Sequence, residues 1–402
     1  MACLQAAFAG PGRLGVAVSG GGDSVAALVL AVEALGPARV AAVTVDHGLR
    51  PEAAAEAARV AALCARLGVE HRVLRWQRGG GGNLQAAARQ ARLSLIGGWA
   101  RGRVAAVVLA HTLDDQAETV LMRLARGSGV DGLSAMAADR VSGGVRWIRP
   151  FLGVTRAALR AELVARGVDW VEDPSNDDPR FLRVRARRAL AVLADLGIDA
   201  EGLAATAARM RRAREALEDE TARALAALIR EEQGTALVDR AALDLPSEIR
   251  DRLFAQLLTG LSGAAHRPRL EELQRLVAAG QGTLTGCVLR PEARGLRLYR
   301  EARAVAGLVA PSDAVWDGRW RAEGPGGAEI RAMGEAGLRQ LSGQAAAGLH
   351  PHWRDTGLPR AALAAQPGLW RAGRLVAAPL AFWPQGWTIF ARPLAARGDD
   401  VA

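Results

Sequence analysis

Residues 13–35 read RLGVAVSGGGDSVAALVLAVEAL, and this stretch decides the fold. A short apolar run over 13–19 stops at three consecutive glycines, and helical periodicity starts at Val25. A buried strand that turns directly into a helix is the opening of a βαβ unit. Glycines let the backbone approach a bound group closely, while a helix start offers free N–H donors and the positive end of its dipole. Ser19 and Ser24 add hydroxyls. The loop Ser19, Gly20, Gly21, Gly22, Asp23, Ser24 can therefore hold a pyrophosphate without an ammonium group. The plainer reading is a tight turn in which Ser or Asp caps the helix.

The pattern repeats outward from this loop. Residues 40–46 (VAAVTVD), 71–76, 104–110 (VAAVVLA) and 145–151 read as strands. Helical stretches at 51–67, 83–100, 113–126 and 155–166 separate or follow them, with Pro51 at a first helical position and Asn83 as an N-cap. Strands alternating with helices of this length give an α/β fold with a doubly wound parallel sheet. After about residue 196 the alternation stops. Residues 201–232 read as one long charged helix, 235–303 mix short strands with two helices, and Pro311 and 324–327 mark a boundary. Three domains are expected: 1–196 as the catalytic α/β domain, 197–312 as a helical connector with a smaller α+β domain, and 313–402 as an α+β C-terminal domain. The last of these carries Trp316, Trp320, Trp353, Trp370, Trp383 and Trp387 among arginines, which suits core packing or stacking on nucleic-acid bases.

Composition narrows the function. The 402 residues are 50% hydrophobic, ample for a buried core. No apolar run approaches the ~18–20 residues that span a bilayer, and residues 1–12 lack the pattern of a signal peptide, so no membrane partner and a cytoplasmic location are expected. Cys3, Cys64 and Cys287 stand far apart, which speaks against a disulfide framework, a zinc site or a redox pair. The net charge of +10 favours a polyanionic partner. All 52 basic residues are arginine. A Walker A loop and a protein Schiff base both need lysine, so both are excluded. The dinucleotide fingerprint GxGxxG is a closer competitor, since Gly20 and Gly22 fit and Asp46 ends the second strand, but Val25 takes the place of its third glycine.

Other polar residues gather at strand ends and helix starts. Asp46, His47 and Arg50 follow the second strand. His111 follows the fourth, and Asp114, Asp115 and Glu118 occupy the first turns of the next helix. Glu118 shares a face with either aspartate. These acids could bind Mg²⁺, bind an amine, act as a base, or simply complement the helix dipole. His111 could contact phosphate or nucleotide, or be a core residue.

The loop SGGGDS resembles the SGGxDS loop of the PP-loop ATP pyrophosphatases, which cleave ATP to AMP and pyrophosphate. Further blocks make the chain similar to the tRNA(Ile)-lysidine synthetase family within them: 45–50 (VDHGLR), 82–92 (GNLQAAARQAR), 110–132 (AHTLDDQAETVLMRLARGSGVDG) and 170–188 (WVEDPSNDDPRFLRVRARR). The likeness is strong over the first half and weaker through 282–301 and 368–379. It implies ATP as substrate, Mg²⁺ with it, and ligation of free L-lysine to C2 of the wobble cytidine, position 34, of the CAU-anticodon isoleucine tRNA. Homodimerisation is left open. It places ATP on Ser19–Ser24, His47 and His111, and chemistry on Asp46, Asp114, Asp115 and Glu118. Arg89, Arg92, Arg123, Arg126, Arg180, Arg183, Arg185 and Arg187 become contacts to tRNA, with Asn83, Asp173 and Asn176 nearby. Arg183, Arg185 and Arg187 cannot all share one helix face. This chain departs from the family at Thr112, where a second histidine is usual, at Gln85, Gln90 and Leu93, and at Val184, where asparagine is typical. A PP-loop tRNA thiolase would need a sulfur carrier or paired cysteines. An amidotransferase-coupled synthetase would need an ammonia source. A non-catalytic RNA-binding relative is the remaining alternative, and the intact Asp23, Asp115 and Glu118 oppose it.

Overall fold

A computed structural model describes residues 1–48, 53–76, 84–172, 178–264 and 266–394. Arg50, Asn83, Asp173 and Asn176 lie outside the described residues. The chain forms two compact units, Met1–Glu215 and Ala216–Gly398.

The first unit is built on strands β1 (Leu14–Ala17), β2 (Val40–Asp46), β3 (Glu70–Arg75), β4 (Ala106–Val108), β5 (Asp139–Ser142) and β6 (Val145–Ile148). Their order in the sheet is β3-β2-β1-β4-β6-β5, parallel except for β5, which pairs antiparallel with β6. The helices are α1 (Ala2–Ala7), α2 (Gly22–Leu35), α3 (Ala53–Leu67), α4 (Leu84–Ala100), α5 (Leu113–Leu124), α6 (Val130–Leu133), α7 (Arg156–Ala165), α8 (Leu182–Leu193) and α9 (Ala200–Leu228), the last running across the boundary at Glu215.

Both faces of the sheet are covered at its centre, which is why β1, β2 and β4 read as unbroken apolar runs rather than alternations. Leu14, Val16, Val40, Ala42, Ala106 and Val108 join one core with α2, α3 and α7. The intervening Ala17, Ala41, Val43 and Val107 join a second with Ile96 and Trp99 of α4. Gly15 completes that second face. A Cβ there would lie 3.0 Å from the Trp99 ring.

Strand β1 connects outward to β2, and its other neighbour is β4, so the sheet changes winding direction between β1 and β4. In an open parallel sheet that is where a crevice opens beyond the carboxyl ends of the strands. The glycine loop after β1 and the His111–Thr112 turn after β4 both lie at that edge.

In the second unit, β7 (Ile229–Glu232), β8 (Thr235–Val238), β9 (Gly282–Leu284), β10 (Cys287–Glu292) and β11 (Gly295–Arg300) form an antiparallel sheet in the order β7-β8-β11-β10-β9. Helices α10 (Ser247–Ser262) and α11 (Leu270–Ala279) share a core with it through Leu253, Phe254, Leu257 and Leu273. The long helix expected over 201–232 stops at Leu228. Gln233 and Gly234 both take positive φ, +46° and +78°. They make the kind of two-residue turn that closes a hairpin, and it draws 229–232 into β7. Beyond follow α12 (Ala302–Val305), β12 (Val309–Pro311), β13 (Trp320–Glu323), β14 (Glu329–Ala332), α13 (Gly334–Ala346), α14 (Arg360–Ala364), β15 (Pro367–Arg371), β16 (Arg374–Ala377) and β17 (Thr388–Ala391). They give a four-stranded sheet, β12-β14-β15-β16, and the pair β13-β17. Trp316, Trp320, Trp353, Trp370 and Trp387 are buried in the cores around these sheets, and Trp383 is half-buried against one of them.

Candidate active site

The turn after β1 is short because Gly20 takes φ +92°, a conformation that glycine adopts without strain. Gly21 is the N-cap of α2, and no side chain caps it. Ser24 Oγ instead donates to the Gly21 carbonyl at 2.9 Å and accepts from the Ser19 N–H at 3.1 Å, with the two serine hydroxyls 3.1 Å apart. Trp170 closes over the loop. A Cβ on Gly22 would meet its indole at 3.3 Å, and the Val171 N–H donates to the Gly20 carbonyl at 3.0 Å.

A cavity of about 350 Å³ opens beside this loop above β1 and β2, of a size that takes a small ligand. Ser19, Gly21, Asp46, His47, Arg92 and Val171 are among its lining residues. Asp46 Oδ1 accepts from the Gly48 N–H at 2.8 Å, the turn role that an aspartate at a strand end often takes. His47 packs edge-on to Trp76, with ring centroids 5.9 Å apart. Burial and the nearby Arg92 charge push its pKa below the usual histidine value.

On the β4 side, α5 opens with a capping box. The Thr112 backbone N–H and Oγ1 each donate to Asp115 Oδ2 at 2.9 Å, while the Asp115 N–H donates to Thr112 Oγ1. The residue that departs from the family's second histidine is thus what orients Asp115. Asp114 turns away and accepts from the Arg156 backbone N–H at 2.7 Å, securing the first residue of α7. His111 Nδ1 accepts from Arg149 Nε at 3.3 Å.

Between the two sides stands Arg156, which sequence reasoning did not single out. Its guanidinium lies 3.2 Å from Asp23 Oδ2, 3.3 Å from Asp115 Oδ1 and 3.6 Å from Glu118 Oε1. Two arginines of α8 complete the cluster: Arg183 at 3.5 Å from Asp115 and Arg187 at 3.0 Å from Glu118. They are four residues apart and share a face, while Arg185 is exposed. Val184, at the family's asparagine position, is buried. Burial pushes the Asp23 and Glu118 carboxyls above their ordinary values despite these partners. Asp115 is held below its own, because the Thr112 backbone N–H and Arg156 outweigh its desolvation. Arg156 is disfavoured by burial and held above the usual arginine value by Asp115, Asp23 and Glu118.

The other arginines divide plainly. Arg123 donates to the carbonyls of Gly132 and Ala135 and so secures the turn after α5. Arg92 lines the cavity, Arg180 pairs with Asp178 in the open, and Arg89 and Arg126 are exposed.

A glycine loop at the switch point of a parallel sheet, with a small-ligand cavity on one side and buried carboxylates on the other, is the site of a PP-loop protein. A protein-family profile described as "PP-loop domain" matches residues 3–193. The tRNA(Ile)-lysidine synthase of Ruegeria pomeroyi is 48% identical over 398 residues, covering 96% of this chain and 93% of that one. Those of Methylobacterium nodulans and Zymomonas mobilis are 43% and 41% identical, covering 74% and 72% of this chain and 94% and 88% of theirs. The chain belongs to the tRNA(Ile)-lysidine synthase family.

Proposed function

We propose that this chain ligates L-lysine to C2 of cytidine 34 in the CAU-anticodon isoleucine tRNA, forming lysidine. The observation that supports this most is the sharing of one guanidinium by Asp23 of the glycine loop and Asp115 and Glu118 of α5. A pyrophosphate grip and an amine-binding acidic pair then stand on opposite sides of one reaction centre.

Cytosine O2 is a poor leaving group. Its attack on the α-phosphorus of ATP forms the O2–P bond and expels pyrophosphate. The lysine amine then attacks C2, the C2–O2 bond breaks, and AMP leaves as the nitrogen loses a proton. Holding the reactants in line is the main task, followed by neutralising charge as it develops.

In this reading the backbone N–H groups at the start of α2, with the Ser19 and Ser24 hydroxyls, hold the pyrophosphate. The cavity above β1 and β2, with Asp46, His47 and Arg92, takes the nucleoside. His111 presents Nε2–H to a phosphate or base oxygen. Asp115 and Glu118 receive the lysine ammonium and orient the free amine, with Asp114 fixing α7 behind them. The exposed Arg89, Arg126, Arg180 and Arg185 suit tRNA phosphates, as do the outer edges of Arg183 and Arg187. Residues 1–196 would carry the chemistry, and 197–312 and 313–402 the body of the tRNA. Among the described residues no three His, Cys, Asp or Glu gather into a metal-holding set, and each carboxylate of the cluster faces an arginine. That arrangement does not fit a resident Mg²⁺, so the ion belongs with ATP, on its phosphates. Among the described residues no helix is long and apolar enough to cross a membrane. Work on tRNA places the activity in the cytoplasm.

The test is direct. Purified protein given ATP, total tRNA and labelled lysine should put label into tRNA and release AMP in step with it, and Asp23→Ala should stop both. AMP release with no lysine incorporated would sink the ligation, and no tRNA-dependent AMP at all would sink the adenylation.

A further inference from the structure

Arg156 sits at the first position of α7, with its side chain only 17% exposed. It touches three carboxylates that arrive from two different strands' connections, Asp23 after β1 and Asp115 and Glu118 after β4. At Asp23 and Glu118 it meets one carboxylate oxygen and not the other. Asp23 Oδ1 and Glu118 Oε2 are buried with no hydrogen-bond partner. Glu118 is 1% exposed, so its carboxylate is out of bulk solvent. Two buried acceptors beside one guanidinium would favour a donor-rich cation that reached them, which in the reading above is the substrate ammonium.

We propose that Arg156 is a positioning residue for the ligation: it ties the pyrophosphate loop to the acidic face of α5 and keeps Asp23, Asp115 and Glu118 in the anionic form that an incoming ammonium requires. The inference rests on the lysine-ligation reading for its substrate, but not for its geometry. The charged groups around the cluster are few. Asp23 faces Arg156, Asp115 and Arg160, and Glu118 faces Asp115, Arg187 and Arg156. Asp115 faces Arg156, Arg183, Arg89 and His111. Among the described residues Arg156 is the cation that pairs with all three carboxylates. Without it, burial and the mutual repulsion of the acids act on Asp23 and Glu118 with one counter-charge fewer. Both already stand above the ordinary carboxyl value, and both would take up protons at still higher pH.

The sign of the effect follows. Losing Arg156 should lower activity near neutral pH, and raising the pH should restore part of it by ionising the carboxylates again. Arg156→Met in the full chain should reduce kcat/KM for lysine by roughly 100-fold at pH 7, the size of losing one preorganised charge-stabilising group. As the pH is raised above 7, its deficit relative to the unaltered protein should shrink. Arg156→Lys keeps the charge but reaches fewer oxygens, so it should show a smaller deficit that changes little with pH. A deficit in Arg156→Met that is equal at every pH would mean a merely structural arginine and overturn the proposal, as would full activity of Arg156→Met at pH 7.

A second measurement needs no substrate. In Arg156→Met the native state should bind more protons than the unfolded chain around these raised carboxyls. Its thermal midpoint should therefore fall, relative to that of the unaltered protein, as the pH rises above the ordinary carboxyl range. Parallel curves would overturn the proposal even if the protein proved to ligate something other than lysine. An unaltered protein that fails to incorporate lysine while the curves still diverge would sink only the substrate.

Discussion

His111 shows how far one environment can move one residue. It lies just past β4, and its Nδ1 accepts from Arg149, so the proton of the neutral ring sits on Nε2. Burial pushes its pKa down to about 3, with Arg149, Arg183 and Arg89 adding to the effect and Asp115 opposing it. The unfolded chain has an ordinary histidine, at about 6.5. Between those two values the unfolded state holds a proton that the native state does not. Stability should therefore be complete above about pH 6.5 and decline as the pH falls toward 3. Urea unfolding at a series of pH values should show this slope between pH 4 and 6.5, and His111→Gln should flatten it. In NMR spectra of the native protein the His111 ring should not titrate above pH 5. A midpoint near 6.5 would mean that the ring is open to water. At this scale the sequence is informative wherever a role depends on neighbours in the chain. The tight turn over Ser19 to Ser24 and the shared face of Asp115 and Glu118 are legible from the loop and from helix spacing. Arg156 is not, because an arginine at a first helical turn reads as a solvated charge until the partners 41 and 133 residues away are known. That Arg183 and Arg187 also pair with Asp115 and Glu118 is hidden for the same reason, although their four-residue spacing already put them on one face.

At the scale of elements, the start of α5 is where stability and function meet. Its capping box satisfies the free N–H groups of the helix end and, with the same bonds, fixes the Asp115 carboxylate toward Arg156. Thr112→Val keeps the shape and removes both hydroxyl bonds. It should cost about 1 kcal/mol in unfolding free energy, as the loss of an N-cap does, and lower lysine incorporation by more than that destabilisation explains. Thr112→Ser should restore both. If Thr112→Val lost stability and kept full turnover, the cap would be separate from the chemistry. The centre of the α/β sheet could be read from sequence because β1, β2 and β4 are buried apolar runs and each helix follows at ordinary length. The strand expected over 145–151 is β6, but its antiparallel partner β5 is not legible in the sequence. That edge strand is mostly exposed and polar, so period and hydrophobicity say little, and the signal lay in Gly143 and Gly144, both at positive φ. Helix α8 was obscured by its arginines, three of which alternate along a segment where only Val184 and Ala186 are buried. The end of α9 was overrun because charge patterning continues through 232, and only the Gln233–Gly234 turn marks the change to strand.

Over the whole molecule, the net charge of +10 and the C-terminal tryptophans suggested a nucleic-acid surface, and the structure divides that suggestion. Several arginines of the second unit are internal. Arg297 binds Glu232, Glu292 and Thr235, Arg300 is bidentate to Asp317, and Arg319 donates to the carbonyls of Gly234 and Arg392. They hold its sheets, and the available charge lies with the exposed arginines. The tryptophans divide in the same way. Trp316 is 1% exposed, and its Nε1–H donates to the Leu308 carbonyl at 3.1 Å. Trp320 fills the space beside Gly234, where a Cβ would come within 2.4 Å of the ring. A ring so enclosed has no face for a base to stack on. Trp316→Ala removes a large buried side chain and leaves a carbonyl unpaired, so it should cost about 3–5 kcal/mol in unfolding free energy. Trp383, half-buried, should lose clearly less on the same change. Under conditions where the Trp316 variant is still folded, its tRNA affinity should match that of the unaltered protein, with denaturant titration and tRNA binding measured on the same samples. An unchanged unfolding midpoint with weakened tRNA binding would return Trp316 to the RNA surface, and the second unit's core would then need another account.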